Sequence, residues 1–248
     1  MTDLERNTSA RDAIMGSIRQ HLAASVPHDA VRAENNGQHA ALLDAAPVSE
    51  PGTGPDAEAG ATAINSLITI FGKNLEAVGG HCIVVHGEAE LIEALSGILS
   101  RLPKPGLRIA LSNAPGLEQL MRRVEVEIDE IAIAPQAGDL FGSDVGICTA
   151  QAAIAETGTL MLDSEAERHR LVSLLPPVHI AIVDAASICL TLGEALAAAQ
   201  QRDPLSATIT FITGPSRTAD IELTLAIGVH GPQQLYVIIN EGPQPAVS

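Results

Sequence analysis

The sequence lacks tryptophan, and aromatic residues of all kinds occupy only 2% of its 248 positions. A hydrophobic core must therefore be built from aliphatic side chains, and the hydrophobic fraction of 46% is ample for one. Aliphatic runs suit parallel β-sheets that are covered by helices on both faces, because each strand is then buried on both sides. The composition thus favours an α/β fold.

Basic residues are also scarce, with 14 Lys and Arg against 30 Asp and Glu, which gives a net charge of −16. Lys73 and Lys104 are the only lysines. This negative charge opposes binding to nucleic acids and to anionic membranes. An anionic ligand would need a local cluster of arginines or backbone N–H groups.

Cysteine is rare too, since Cys82, Cys148 and Cys189 lie far apart and form no Cys-x-x-Cys pair. This spacing does not fit an iron–sulfur or zinc site, so we expect no metal and no bound cofactor. Each cysteine lies in an apolar run, which predicts buried, reduced thiols. Cys148 has no histidine next to it in the sequence to serve as a base, and we interpret it as an inert residue.

The chain has no apolar stretch of the length of a membrane span, and its first residues are charged. We therefore expect a cytoplasmic protein without membrane insertion.

The pattern of residues divides the chain into three parts. Residues 1–24 contain an amphipathic helix over 9–23, and residues 25–60 have the Ala-, Pro- and Gly-rich composition of a flexible linker. From residue 61 to 243, helix and strand patterns alternate. This alternation predicts an open, mostly parallel sheet with helices on both faces.

Within the third part, strands appear as short aliphatic runs and helices as apolar residues at helical spacing. Strands are predicted over 82–86, 107–111, 178–183, 208–213 and 235–239, with an edge strand inside 124–134 and a hairpin inside 145–163. Helices are predicted over 62–78, 89–102, 115–124, 165–174, 191–201 and, after a Gly-Pro turn, 223–229.

The run from Gly214 to Glu222 carries the densest set of polar residues. It follows the predicted buried strand over 208–213 and would open a helix, which is where open α/β sheets bind ligands. Backbone N–H groups at a helix N-terminus favour an anion, and an arginine would add a positive fork. The candidate binding residues here are Gly214, Ser216, Arg217, Thr218 and Asp220. The alternative interpretation is a structural turn with an Arg217–Asp220 pair.

Three further positions could carry chemistry. Glu156 precedes Gly158 in an apolar context, and a buried carboxylate there could act as a base or nucleophile, or simply bind N–H groups of the turn. Arg170 stands out in an acidic protein and could hold a carboxylate or phosphate. His230 could serve in acid–base chemistry or be an ordinary loop residue.

The sequence contains no dinucleotide fingerprint, phosphate-binding loop or Gly-x-Ser-x-Gly elbow, which disfavours those enzyme classes. Several long segments nevertheless resemble, in the right order, the lactate-utilisation protein C family, the LUD-domain proteins. They are the runs 153–160, 173–180, 214–222 and 228–232, together with the N-terminal helix over 11–23. The resemblance covers most of the chain, from residue 61 to 239.

The resemblance implies a fold similar to the ribose-phosphate isomerase and coenzyme A transferase group. It also implies a role in the oxidation of L-lactate to pyruvate by a three-component system, in which partner subunits hold the iron–sulfur centres. The family supplies no catalytic residue. Coenzyme A transferases of this fold group use a Glu beside a Gly turn as nucleophile, which Glu156 loosely matches, although their glycine-rich oxyanion loops are not evident in this sequence.

Three functions stay open at this point. The first is an accessory subunit of an L-lactate-oxidising complex, in which Ser216, Arg217 and Thr218, aided by Arg170, bind a small carboxylate or phosphate. The second is an enzyme of acyl- or coenzyme-A-transfer type with Glu156 as nucleophile. The third is a structural subunit that docks onto the iron–sulfur partners. Homo-oligomerisation stays open as well.

Overall fold

The structure is a computed structural model, which describes residues 55–164, 170–202, 206–219, 225–227 and 231–242. The predicted N-terminal helix over 9–23 and most of the linker over 25–60 lie outside these residues. The division of the chain into three parts therefore stays a prediction.

Helices and strands alternate along most of the described chain. The helices are α1 (Pro55–Ala77), α2 (Glu88–Ser100), α3 (Leu117–Met121), α4 (Ala137–Leu140) and α5 (Leu192–Gln200). The strands are β1 (His81–Val85), β2 (Leu107–Leu111), β3 (Ile128–Ile133), β4 (Val145–Ala150), β5 (Ala152–Ile154), β6 (Thr159–Asp163), β7 (Val178–Asp184), β8 (Ile188–Cys189), β9 (Ile209–Ile212), β10 (Arg217–Ala219), β11 (Leu225–Ile227) and β12 (Gln234–Asn240). None of the helices formed by these residues is long and apolar enough to cross a bilayer.

The ends of the helices follow their local sequence. α1 begins at Pro55, before the predicted start at residue 62. It ends at Ala77, and the Gly79-Gly80 pair stops it as predicted, because Gly79 adopts a φ of +90° and both glycine N–H groups donate to carbonyls of the last turn. α5 begins with a capping box, in which Thr191 and Glu194 each accept a backbone N–H of the other.

The central element is a parallel sheet of described strands in the order β1-β12-β7-β4-β2-β3. Its inner strands are aliphatic and buried, as in β12, where Val237 and Ile239 are fully shielded from solvent. β3 is more polar and lies at one edge. The predicted α/β class and the edge position of the strand inside 124–134 are confirmed.

Both faces of the central sheet are covered. One face packs against α2 and α3, with Leu95 and Ile238 in the shared core. The opposite face packs against α1 and a second sheet, with Phe71, Leu160 and Val237 in the shared core. Because side chains alternate along a strand, neighbouring residues of β12 serve opposite cores.

The second sheet has the strand order β8-β5-β6-β9. β5 and β6 form the antiparallel hairpin predicted inside 145–163, with Ile154 opposite Thr159. β9 lies at one edge, and its residues are half-buried or exposed. The prediction of a buried strand over 208–213 is therefore wrong about burial, because this strand has a described neighbour on one side only.

The segment after Gly214 is a strand and not the start of a helix. Gly214 has a φ of +94°, the kind of backbone conformation expected of a glycine at this turn. β10 then pairs antiparallel with β11, with Arg217 opposite Ile227. The helix predicted over 223–229 is wrong for Leu225–Ile227. A short aliphatic run fits either periodicity, and here strand pairing supplies the backbone hydrogen bonds.

The helix predicted over 165–174 is only partly described. Residues 165–169 lie outside the described part of the chain. Arg170–Ser173 forms a single 3-10 turn instead of an α-helix.

Candidate functional site

The turn that contains Glu156 is attached to the C-terminal end of α1. Nδ2 of Asn74 donates hydrogen bonds to the carbonyl oxygens of Ala155 at 2.8 Å and Glu156 at 3.0 Å. Gly158 has a φ of +64°, and a Cβ added to it would collide with the backbone nitrogen of Leu75. Glycine is therefore needed at the bend, as the sequence predicts, both for its conformation and for this close approach.

The turn that contains Arg217 holds the same end of α1. Nη2 of Arg217 donates a hydrogen bond of 2.7 Å to the carbonyl oxygen of Val78, one residue past the end of the helix. An added Cβ at Gly79 would lie 2.5 Å from this guanidinium, and one at Gly214 would lie 3.0 Å from the Val78 oxygen. Arg217 thus satisfies a carbonyl that the helix leaves unpaired.

A chain of hydroxyl groups connects the two turns. Oγ1 of Thr157 donates to Oγ1 of Thr159 at 2.7 Å, and Oγ1 of Thr159 lies 2.7 Å from Oγ1 of Thr213. Thr159 is buried, and Thr213 directly precedes Gly214. The two segments are thereby fixed relative to each other as well as to α1.

A third contact region joins the Arg217 turn to the segments that precede β7 and β12. The N–H of Ser216 donates to the carbonyl of Pro232, and the N–H of Gln233 donates to the carbonyl of Pro177, each at 2.7 Å. An added Cβ at Gly231 would lie 3.2 Å from the side chain of Ser216 and 3.5 Å from the Leu174 oxygen. The segments singled out in the sequence therefore meet in space.

The geometry gives several candidate residues a structural task. Glu156 is exposed, and its Oε1 accepts the N–H of Leu192, the first residue of α5, at 3.2 Å. The N–H of Ser216 is committed to Pro232, so it is not available to an anion. Thr218 lies in β10, opposite Ala226 of β11.

The remaining candidate residues are placed apart from these or lie outside the described part of the chain. Arg170 is exposed at the start of its 3-10 turn, and no described carboxylate forms an ion pair with it. Asp220 and His230 lie outside the described residues, so the predicted Arg217–Asp220 pair and the role of His230 stay predictions.

The structure also reveals a pair that the sequence pattern did not predict. Sγ of Cys148 lies 3.1 Å from Nε2 of His179, on the adjacent strands β4 and β7. Both side chains are buried, with 2% and 0% exposure. Burial lowers the pKa of His179 from 6.5 to about 4, so the ring is neutral at physiological pH. The second ring nitrogen, Nδ1, has no hydrogen-bond partner among the described residues.

The prediction that Cys148 is buried is correct, but it does have a base beside it. The two residues are far apart in the sequence, and only the pairing of β4 with β7 brings them together. The one signal for this pair in the sequence is the alternation of side chains between the two faces of a sheet. Gly146, Cys148 and His179 lie on one face, and Ile147 and Ile180 lie on the other.

The other two cysteines have different surroundings. Burial, followed by the nearby carboxylate of Glu76, raises the pKa of Cys82 to about 11. Burial, followed by the carboxylate of Glu194, raises the pKa of Cys189 to about 11. All three cysteines are unpaired with one another, and no group of three or more metal-binding side chains occurs within the described residues.

Comparison with known proteins identifies the class of the chain. The sequence matches the model of the LUD domain over residues 68–239, which is more than half of its length. The chain therefore belongs to the LUD-domain family, and the resemblance seen in the sequence is confirmed. The match includes the Glu156 turn, the Cys148–His179 pair and the Arg217 turn.

Individual relatives are similar over shorter stretches. Lactate utilization protein C of Bacillus licheniformis is 36% identical over 104 residues, which are 40% of this chain and 43% of the relative. The protein of the same name from Bacillus subtilis strain 168 is 39% identical over 104 residues, with the same coverage of 40% and 43%. That of Halalkalibacterium halodurans is 34% identical over 134 residues, covering 51% and 57%. The chain thus spans about half the length of the curated relatives that it matches.

A solved structure supports the fold. The crystal structure of a DUF162 family protein from Deinococcus radiodurans superposes with a TM-score of 0.52 and 24% identity. The superposition covers 71% of this chain and 98% of that protein. At this identity the likeness concerns the fold alone.

Proposed function

We propose that this protein takes part in L-lactate utilisation as a cytoplasmic accessory subunit, which binds a small carboxylate or phosphate and works with partner subunits that hold iron–sulfur centres. The observation that carries the proposal is membership of the LUD-domain family, together with relatives whose printed name is lactate utilization protein C. The described cysteines have no cluster-binding arrangement, so in this proposal the redox centres belong to the partners.

Arg217 is the first residue to test as an anion ligand. Its guanidinium has five N–H donors, and one hydrogen bond, from Nη2 to the Val78 oxygen, is made to a described residue. The side chain is exposed, so the remaining donors can reach a ligand from solvent. The helix N-terminus that was expected beside it is replaced by β10, so any binding depends on the arginine itself and not on helix N–H groups.

The test must separate the bond to Val78 from the positive charge. Arg217→Gln keeps a donor near the Val78 oxygen but removes the charge. Arg122→Gln is the matched control, because Arg122 is 72% exposed and pairs with Glu118 within one helical region away from this turn. Both variants are expressed in a strain that lacks the native protein, and growth on L-lactate is compared at equal protein level.

Slow growth of Arg217→Gln on L-lactate, with an unchanged unfolding temperature and normal growth of Arg122→Gln, is the expected result. Normal growth of both variants would rule out Arg217 as the anion ligand. Normal growth on L-lactate without any copy of the protein would rule out the role in lactate utilisation.

Glu156 supports a second candidate function, acyl or coenzyme A transfer. Its carboxylate is exposed, so a substrate can reach it from solvent, and Oε1 accepts the N–H of Leu192 at the start of α5. Incubation with acyl-coenzyme A donors followed by mass spectrometry should then reveal a covalent adduct on Glu156. A protein that stays unmodified, while a known transferase is labelled in parallel, argues against this function.

The third candidate, docking onto the iron–sulfur partners, draws support from Leu190 and Leu192. Both flank Glu156, and both are 43% exposed although they are large and apolar. Co-purification with the iron–sulfur subunit that persists when Glu156 and Arg217 are both changed to Ala favours this role. Docking lost on changing Leu190 and Leu192 to Ser, in a folded variant, would place the contact there.

A further inference from the structure

The buried pair Cys148–His179 has one hydrogen-bonding position that the protein leaves unused. Nε2 of the ring faces Sγ at 3.1 Å, whereas Nδ1 has no partner in the described part of the chain although the ring is fully buried. Buried polar atoms are almost always paired, and an unpaired one points to strain, chemistry or a missing ligand. The surrounding core is aliphatic, so two apolar residues at these positions would avoid the free-energy cost of burying an unpaired nitrogen.

The positions of the protons in the pair show which kind of group could pair with Nδ1 of His179. When the thiol donates to Nε2, the single proton of the neutral ring lies on Nδ1, which is then a donor without an acceptor. Transfer of the thiol proton to Nε2 would turn the ring into a cation and make the unpaired Nδ1–H still less favourable. Burial already opposes this charge in His179. In this tautomer the missing group is a hydrogen-bond acceptor, and an anionic acceptor would also stabilise the imidazolium.

We propose that Cys148 and His179 form an incomplete thiolate site, which a small carboxylate ligand completes by accepting the hydrogen bond of His179 Nδ1. The ligand takes the place that an Asp or Asn side chain has in nucleophile–His–carboxylate arrangements, where it orients the ring and stabilises the imidazolium. The S–H bond breaks, its proton forms a new bond with Nε2, and the electron pair stays on sulfur. The inference rests on the proposed function, because it assigns the same class of ligand to this site.

A single short turn covers part of this face of the sheet. The 3-10 turn Arg170–Ser173 contacts both β4 and β7. It lies directly on Gly146, the register partner of His179, where an added Cβ would collide with the carbonyl oxygen of Val172. Val172 and Ser173 of this turn are buried, so a ligand that reaches the His179 ring must displace part of the turn. Arg170, exposed at its start, brings a positive charge to the cover.

The other two thiols provide controls within the same chain. Cys82 and Cys189 are partly exposed, and acidic neighbours contribute to the raised pKa of each. Neither has an imidazole partner among the described residues. A carboxylate that acts through His179 should therefore change the reactivity of Cys148 alone.

The test measures alkylation of each cysteine by iodoacetamide in the full chain, with peptide mass spectrometry as the readout. The rates are compared in acetate, L-lactate, pyruvate and chloride at equal ionic strength. A carboxylate beside the ring raises its pKa by about one to three units, so the thiolate fraction of Cys148 should rise at least about tenfold. Cys82 and Cys189 should react at unchanged rates, and His179→Gln should abolish the acceleration.

Two results overturn the proposal: equal rates for Cys148 in chloride and in all three carboxylates, or the same acceleration in His179→Gln. If Cys148 is not alkylated under any condition, ¹⁵N chemical shifts of the His179 ring in the wild-type protein decide. Movement towards imidazolium on adding a carboxylate supports the site, and a ring that stays neutral overturns it. Growth on L-lactate tests the proposed function separately. If the protein is needed for growth but neither alkylation of Cys148 nor the His179 ring responds to a carboxylate, the proposed function stands and only the present inference is wrong.

Discussion

His179 should make the domain lose stability in mild acid. Its ring is completely buried, and burial lowers its pKa from 6.5 to about 4. Between these two values the unfolded chain binds a proton that the folded chain does not. The stability that comes from keeping the ring neutral is therefore fully present above the unfolded pKa and is lost as the pH falls through the folded pKa.

The size of the effect follows from the shift. One pKa unit corresponds to about 1.4 kcal/mol, so full protonation would cost about 3 kcal/mol. At about pH 5 the loss should be roughly 2 kcal/mol, a large part of the ~5–15 kcal/mol that holds a typical domain together. Lower pH is less useful, because the pI is about 4.7 and proteins without net charge tend to precipitate.

Urea unfolding of the wild-type protein and of His179→Gln, at about pH 7.5 and about pH 5, measures this loss. The variant gives up the contact with Cys148 and should be less stable at both pH values, so the diagnostic quantity is the difference between the two pH dependences. We expect the wild type to lose about 2 kcal/mol more than the variant on acidification. His81→Gln, which removes an exposed imidazole, should behave like the wild type.

Acidic residues also titrate in this range, but they do so in both proteins. Partial burial pushes the pKa of Asp144 up, whereas the Lys104 ammonium and the Arg108 backbone N–H outweigh it and leave the pKa lowered. Its contribution is therefore also lost as the pH falls, and it cancels in the comparison. Parallel pH dependences for the wild type and His179→Gln would refute the assignment of a buried neutral ring.

Three further variants and one control test the contacts around α1 and α5 by urea unfolding. Gly158→Ala should lower the free energy of unfolding by about 2 kcal/mol or more, because its φ is positive and the new Cβ meets Leu75. The control Gly97→Ala, in open space within α2, should be stabilising by about 0.5–1 kcal/mol, and equal effects of the two substitutions would contradict the close approach at Gly158. Thr191→Ala should cost about 1 kcal/mol through loss of the capping box, and no loss would mean that the box does not stabilise α5. Asn74→Ala should cost about 1–2 kcal/mol, since two carbonyls lose their donor, and a neutral result would argue against the attachment of the Glu156 turn.

The strands of the central sheet could be predicted because their signal is local. The strand predicted over 107–111 coincides with β2, and the one predicted over 178–183 is β7 without its last residue. Mostly aliphatic runs that follow a Gly or a Pro are enough to predict such strands. The same local signal failed over 223–229, because a short apolar run is compatible with both a helix and a strand. Pairing of β11 with β10 makes Leu225–Ile227 a strand.

The roles of the candidate residues could not be predicted, because they depend on contacts between distant segments. Arg217 reaches the carbonyl of Val78, which is 139 positions away in the sequence. Nothing in the sequence near Arg217 indicates this acceptor, so the residue read equally well as an anion ligand or as one half of a local ion pair. Cys148 and His179 are likewise joined only by the pairing of β4 with β7. The sequence predicted an inert Cys148, and the pairing of the strands places an imidazole beside it.

The segments that resemble the LUD-domain family meet at the end of α1 and on the face of the sheet that holds His179. These two regions differ in whether their polar groups have hydrogen-bond partners. At the end of α1, Asn74, Arg217 and the hydroxyl chain from Thr157 to Thr213 all have partners, which is typical of a region that stabilises the fold. On the face of the sheet that holds His179, no described residue pairs with Nδ1 of its ring. A ligand gains most binding free energy where it pairs a group that is already removed from water, because folding has already desolvated that group. A small carboxylate should therefore be sought beneath the Arg170–Ser173 turn as well as at the exposed donors of Arg217.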